Sequence, residues 1–114
     1  MSEIQIQSEC FQWAWNHPSG KLKHKIFSIN NNSKGSIINA VQMKASGLVP
    51  GIPDLCALLD DRKVFWFEIK TDKGTISESQ KKIHMQWEQI GHVVFIIRSV
   101  DQFKNICNEY IFKT

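Results

Sequence analysis

Cysteine is scarce in this chain. Cys10, Cys56 and Cys107 are the only three in 114 residues. They are odd in number, far apart and form no C-x-x-C pair, which argues against a disulfide framework or a zinc ribbon. Long apolar runs are also lacking: none is longer than Val93 to Ile97, which falls far short of the ~20 residues that span a bilayer, so no membrane role is expected. The opening Met1-Ser2-Glu3-Ile4-Gln5 has neither a basic start nor a hydrophobic stretch, so no signal peptide is read there and a cytoplasmic location is expected. No repeat or low-complexity linker occurs. Asn30-Asn31-Asn32-Ser33 comes nearest and reads as a turn. Charge of one sign is missing too: 14 Lys+Arg against 11 Asp+Glu leave a formal +3, which alone does not identify a nucleic-acid binder.

What is present has a globular balance. The chain is 42% hydrophobic and 22% charged, which excludes disorder. Its length suits one domain, residues 1–114, large enough to bury a core. The pattern predicts a helix over 3–16, stopped by His17-Pro18-Ser19-Gly20, then a short strand near 25–29. A weak helix over 35–46 ends at Gly47, and 47–53 is a Gly/Pro-punctuated loop. Strands over 54–59 and 64–70, joined by Asp60-Asp61-Arg62-Lys63, form a hairpin. A helix over 77–90 with Gly91 as its cap precedes a β-branched strand over 92–98. The last helix, 99–110, opens on the capping box Ser99-x-x-Gln102. The expected class is α/β: a mixed sheet flanked by helices.

Polar residues break this pattern in four places. Along the strand from Val64 to Lys70, Phe65, Phe67 and Ile69 share one face and suit the core. Glu68 and Lys70 lie together on the other face, ~7 Å apart along the strand, either as an exposed ion pair or as part of a site. Asp54 follows Gly51-Ile52-Pro53 and opens its strand at the same end of the hairpin, either as a turn residue or as a partner of Glu68. In the first helix, Ile4, Phe11 and Trp15 make one stripe and Ile6 and Trp13 another, with Glu9 between them. Gln80 extends the stripe Ile83, Trp87, Ile90 by a turn and should face the sheet, but it also completes the capping box Ser77-x-x-Gln80.

Two carboxylates held ~4 Å apart repel by ~4 kcal/mol at an effective dielectric of 20. A protein that gathers them usually holds a divalent cation. Oxygen ligands without cysteine or histidine at ligand spacing favour Mg²⁺ or Mn²⁺. The histidines pair with no nucleophile and receive no role; His84 lies one position off the stripe of Ile83 and Trp87. Lys21, Lys23, His24 and Lys25 form a basic run, readable as a solvated loop or a phosphate contact.

Asp54 and Glu68 must share a face to share a cation. Pairing Leu59 with Val64 across a four-residue loop would set Asp54 opposite Ile69, on the wrong face. The hairpin therefore needs an odd loop, a bulge or splaying at its Asp54 end.

These residues resemble a known family. Gly51-x-Pro53-Asp54, then Glu68-Ile69-Lys70, then Gln80, resembles the PD-(D/E)XK nucleases and more narrowly the VRR-NUC domain (virus-type replication-repair nuclease). Glu9, Asn30 and Lys44 with Gly47 extend the match over nearly the whole chain. The resemblance implies a restriction-endonuclease-like core in αβββαβ order and metal-dependent hydrolysis of DNA. It implies that Glu9, Asp54, Glu68 and the backbone carbonyl of Ile69 bind Mg²⁺ or Mn²⁺, that Lys70 positions water, and that Gln80 orients the site. Lys21, Lys23, Lys25 and Lys44 would contact DNA. Short family members suggest a viral or bacterial homodimer acting on branched DNA such as four-way junctions, in a bacterial or virus-infected cell.

Overall fold

The computed structural model describes residues 1–29 and 37–113. Asn30 and the Asn-rich turn lie outside the described residues. The elements run α1 (Glu3–Trp15), β1 (Ile26–Ser28), α2 (Ile37–Ala45), β2 (Leu55–Leu58), β3 (Val64–Ile69), α3 (Glu78–Gln89), β4 (Val93–Ile97) and α4 (Val100–Tyr110). No helix among the described residues is long and apolar enough to cross a membrane.

The sheet order is β1-β2-β3-β4. The first three strands form an antiparallel meander, and β4 pairs parallel to β3 after the α3 crossover. Alternation along the strands sorts the two faces. Ile26, Leu55, Ala57, Phe65, Phe67, Ile69 and Ile97 meet α1 and α4 in one core, where Phe67 packs on Phe103 with centroids 4.9 Å apart. Trp66 and Glu68 point to the other face, where Trp66 meets Trp87 of α3 at 4.7 Å.

α1 buries the stripes the sequence suggested only in part: Phe11, Trp13 and Trp15 pack half-buried against the core. Ile6, Cys10 and Ala14 form its buried face, while Ile4 is 65% exposed. A spacing of four repeats rotates only about 40° per step, and small Cys and Ala side chains let the helix sit close to the sheet. Burial pushes the thiols of Cys10 and Cys107 up to about 12 and that of Cys56 up to about 11, and all three are free. They therefore act as small apolar core residues.

α3 also differs from its reading. Ile90 is the C-cap and is 74% exposed. His84 is buried instead, one turn after Gln80. At α4, the Ser99 hydroxyl accepts from the Gln102 N–H, but the Gln102 side chain turns to the Arg98 N–H at 2.7 Å, so the reciprocal half of the box reaches one residue further back.

The hairpin has an odd loop. Leu58, not Leu59, stands opposite Val64. The chain turns through Asp60, Asp61 and Arg62, closed by the Leu59 N–H to the Lys63 carbonyl at 2.9 Å. Arg62 has φ 71°, the left-handed residue that a three-residue loop requires. This register carries Asp54 onto the face of Glu68.

Candidate active site

Asp54 is fixed from three sides. Its carbonyl accepts from the Ile29 N–H at 2.9 Å and its N–H donates to the Phe67 carbonyl at 2.9 Å. Its carboxylate oxygen Oδ2 accepts the Ile69 N–H at 2.7 Å. Beyond Leu55 the side chain of Asp54 thus supplies an acceptor to β3. Pro53 just before it is fully buried and has no N–H to leave unpaired.

Glu68 is 2% exposed. Burial pushes its carboxyl up to about 9; the adjacent Asp54 carboxylate adds to this, and the Lys70 ammonium opposes it. Near pH 7 and without a cation, the fold therefore prefers Glu68 protonated. Lys70 continues the line of β3, its N–H donating to the Ile97 carbonyl at 2.8 Å. The following turn is clamped by Arg98, whose guanidinium donates to the Thr71 carbonyl at 2.8 Å and the Gly74 carbonyl at 2.6 Å.

Both readings of Gln80 hold at once. Its Oε1 accepts the Ser77 N–H at 2.9 Å, completing the capping box. Its Nε2 donates to Glu68 Oε2 at 3.2 Å. The helix start and the carboxylate are therefore fixed by one side chain. Gly51 makes this possible. It has φ 92°, and a Cβ there would meet the Ser79 carbonyl oxygen at 2.7 Å. Only glycine lets the loop before Asp54 press against the first turn of α3.

His84 was missed by the sequence reading. Its Nε2 lies 3.3 Å from Glu68 Oε1, with both side chains buried. Burial lowers the imidazole pKa, so the contact is between neutral groups rather than an ion pair. The available signal was spacing: a residue four after Gln80 shares its helix face.

Other expected site residues lie elsewhere. Glu9 is exposed on α1, in a cleft with Asp72, Arg98 and Asp101. The α1 acid whose charge reaches Glu68 is Glu3. Among the described residues no group of three His, Cys, Asp or Glu could hold a metal, so Glu9 does not join Asp54 and Glu68. The physical reason is helix phase: Cys10 points into the core, and its neighbour Glu9 faces solvent.

The basic run lies away from the carboxylates. The Lys25 carbonyl accepts from the Leu58 N–H, while Ile29 pairs with Asp54. Lys25 therefore enters β1 at the turn end of the hairpin, ~13 Å along the strand from Asp54, and Lys21 and Lys23 precede it in the chain. Lys21 is already engaged, its ammonium donating to the Ile111 carbonyl at 3.2 Å. Lys44 is exposed in the last turn of α2, ahead of the loop that leads to Asp54.

A cation fits the central donors. Two carboxylates meet here, one of them buried, and Glu68 Oε1 completes no hydrogen bond. Two carboxylates, a backbone carbonyl and waters suit a hard ion such as Mg²⁺.

Sheet order, crossover and helix placement define an α/β fold of restriction-endonuclease type. The fold is the one found in a solved VRR_NUC domain protein. The chain superposes on that protein with a TM-score of 0.76, covering 96% of this chain and 88% of the other. At 18% identity that likeness shows the fold. The chain is also 32% identical over 80 residues to a Fanconi-associated nuclease 1 homolog of Schizosaccharomyces pombe (strain 972 / ATCC 24843). That match takes in 69% of this chain, which spans about 11% of the yeast protein's length. No family model matches.

Proposed function

We propose that the chain is a metal-dependent DNA nuclease that cuts branched DNA, with four-way junctions as its preferred substrate. The observation that carries this reading is the meeting of Asp54 and Glu68 beside Lys70, brought about by an odd hairpin loop. The likeness to a protein named as a nuclease supports it. Asp54, Glu68 and the Ile69 carbonyl would hold Mg²⁺ or Mn²⁺. The bound ion would supply charge neutralisation at the scissile phosphate and the leaving 3′ oxygen.

The chain's own residues do the rest. Lys70 orients a water for in-line attack on phosphorus and stabilises charge on the phosphoryl oxygens. The water oxygen bonds to phosphorus as the water gives up a proton to solvent, the P–O3′ bond breaks, and the 3′ oxygen leaves carrying a proton taken from solvent. Gln80 keeps the Glu68 carboxylate from rotating, and the three hydrogen bonds on Asp54 hold the other ligand still. Paired cuts across a junction need two sites, which a second copy of this chain would supply as a homodimer.

The test is a panel of labelled linear, flap, fork and four-way DNA with Mg²⁺ or Mn²⁺. Wild type is expected to cut the four-way substrate, and Asp54→Asn to cut it slower by about 100-fold or more, since a ligand is lost. In EDTA the same variant should be more stable by about 0.5–2 kcal/mol at alkaline pH, where Glu68 ionises and the Asp54 carboxylate beside it would repel it. Preference for flaps or ends would give a nuclease of other selectivity. DNA binding without cleavage would leave a silent module on this fold and overturn the proposal.

A further inference from the structure

His84 is the buried polar group that the proposed chemistry leaves unused. Its imidazole sits on α3 four residues after Gln80, so both side chains reach down from one helix face onto Glu68. Gln80 Nε2 bonds Oε2 at 3.2 Å, and His84 Nε2 lies 3.3 Å from Oε1. Glu68 Oε1 and His84 Nε2 are both buried and neither completes a hydrogen bond, although they face each other at 3.3 Å. An apolar residue would fill this place beside Trp87 without stranding a polar atom. The imidazole therefore points to a role at the carboxylate.

We propose that His84 is a positioning residue that grips Glu68 from the side opposite Gln80 and fixes the direction in which the carboxylate presents its lone pairs to a divalent cation. This rests on the reading of Asp54 and Glu68 as ligands. Gln80 restrains one oxygen, and the imidazole facing the other narrows the swing that remains about the last bond. Each oxygen keeps a lone pair for the cation. Partners that orient ligands in this way commonly tune metal affinity about 10–100-fold.

The experiment measures Mn²⁺ binding to the EDTA-stripped full chain by calorimetry, with thermal melts of each variant. His84→Leu fills the space without a polar atom. His84→Gln keeps a nitrogen able to reach Oε1, and His84→Asn keeps the amide but is a bond too short. Leu and Asn variants are expected to bind Mn²⁺ about tenfold more weakly than wild type, and the Gln variant within about threefold of it. His84→Leu should melt no lower than wild type in EDTA. Rescue by Gln but not Asn separates positioning from packing, so a Leu variant that fails to fold leaves the decision to that pair. The proposal is overturned if Leu and Asn variants bind Mn²⁺ as wild type does, or if Gln binds as weakly as Asn. Asp54→Asn distinguishes the two readings. If wild type binds no better than this variant, the metal reading falls and takes His84's role with it. If Asp54→Asn loses binding while the His84 variants keep it, only the role of His84 falls.

Discussion

Glu68→Gln is expected to abolish cleavage while stabilising the metal-free protein, by a margin that grows with pH. Burial, with Asp54 beside it, lifts the Glu68 carboxyl from 4.5 to about 9. A raised carboxyl pKa means that the fold prefers the protonated form. Its contribution to stability is complete below the unfolded value of 4.5 and is lost as pH rises toward about 9. Glutamine mimics the protonated shape and never ionises. Its carbonyl can accept from Gln80 Nε2, and its amide can donate to Asp54. In EDTA the gain over wild type should be near zero at pH 5 and about 1–3 kcal/mol at pH 8.5, discounted from the full shift because the site can relax and admit water. That is a rise of several degrees in Tm. Added Mg²⁺ should stabilise wild type only, by mass action, and close the gap. Melts in EDTA and in excess Mg²⁺ from pH 5 to 9 check it. A gain that does not change with pH would mean that Glu68 is not the crowded, buried acid described here.

The parity of the strands made this much of the site readable before any coordinates. Side chains alternate along β3, so Glu68 and Lys70 had to leave the core face that Phe65, Phe67 and Ile69 occupy. The odd loop followed from the requirement that Asp54 reach the same face, and Leu58 opposite Val64 meets it. Strand faces are local and binary, which is why they could be read.

Helix phase was less legible. α1 offers several competing stripes, and the pair that decides its orientation, Cys10 and Ala14, carries little hydropathy. With Ile4 and Ile6 both read as apolar stripes, Glu9 fell between them, and the buried face through Cys10 leaves it exposed. In α3 the stripe favoured Ile83 and Ile90 over His84. A residue that buries a polar ring to touch a carboxylate looks like a surface residue until the carboxylate is placed. The place of the lysines was hidden for a different reason. Lys21 to Lys25 are close to Glu9 in sequence, but their place depends on the direction in which β1 runs along β2. That is a long-range pairing, which no local pattern encodes.

Gly51→Ala is expected to cost about 2–4 kcal/mol and to slow cleavage through α3 rather than through Asp54. Two costs add. The backbone at φ 92° disfavours any side chain, by about 1–2 kcal/mol. The new Cβ would also lie 2.7 Å from the Ser79 carbonyl oxygen, 2.9 Å from its carbon and 3.1 Å from the Gln80 nitrogen. All three are backbone atoms of the helix start, so no rotamer change relieves the contact. Either the loop lifts away from α3 or the helix moves, and Gln80 Nε2 then leaves Glu68 Oε2 from a starting distance of 3.2 Å. Gly47→Ala is the control. Its φ of 119° brings a similar backbone cost, but nothing lies within 4 Å of its Cβ. Urea titrations of the two variants isolate the steric part as their difference, about 1–2 kcal/mol. Single-turnover cleavage should fall for Gly51→Ala and stay near wild type for Gly47→Ala. Equal losses of stability would mean that the close approach of the loop to α3 is not what positions Gln80, and that the glycine before Pro53 is needed for its backbone angle alone.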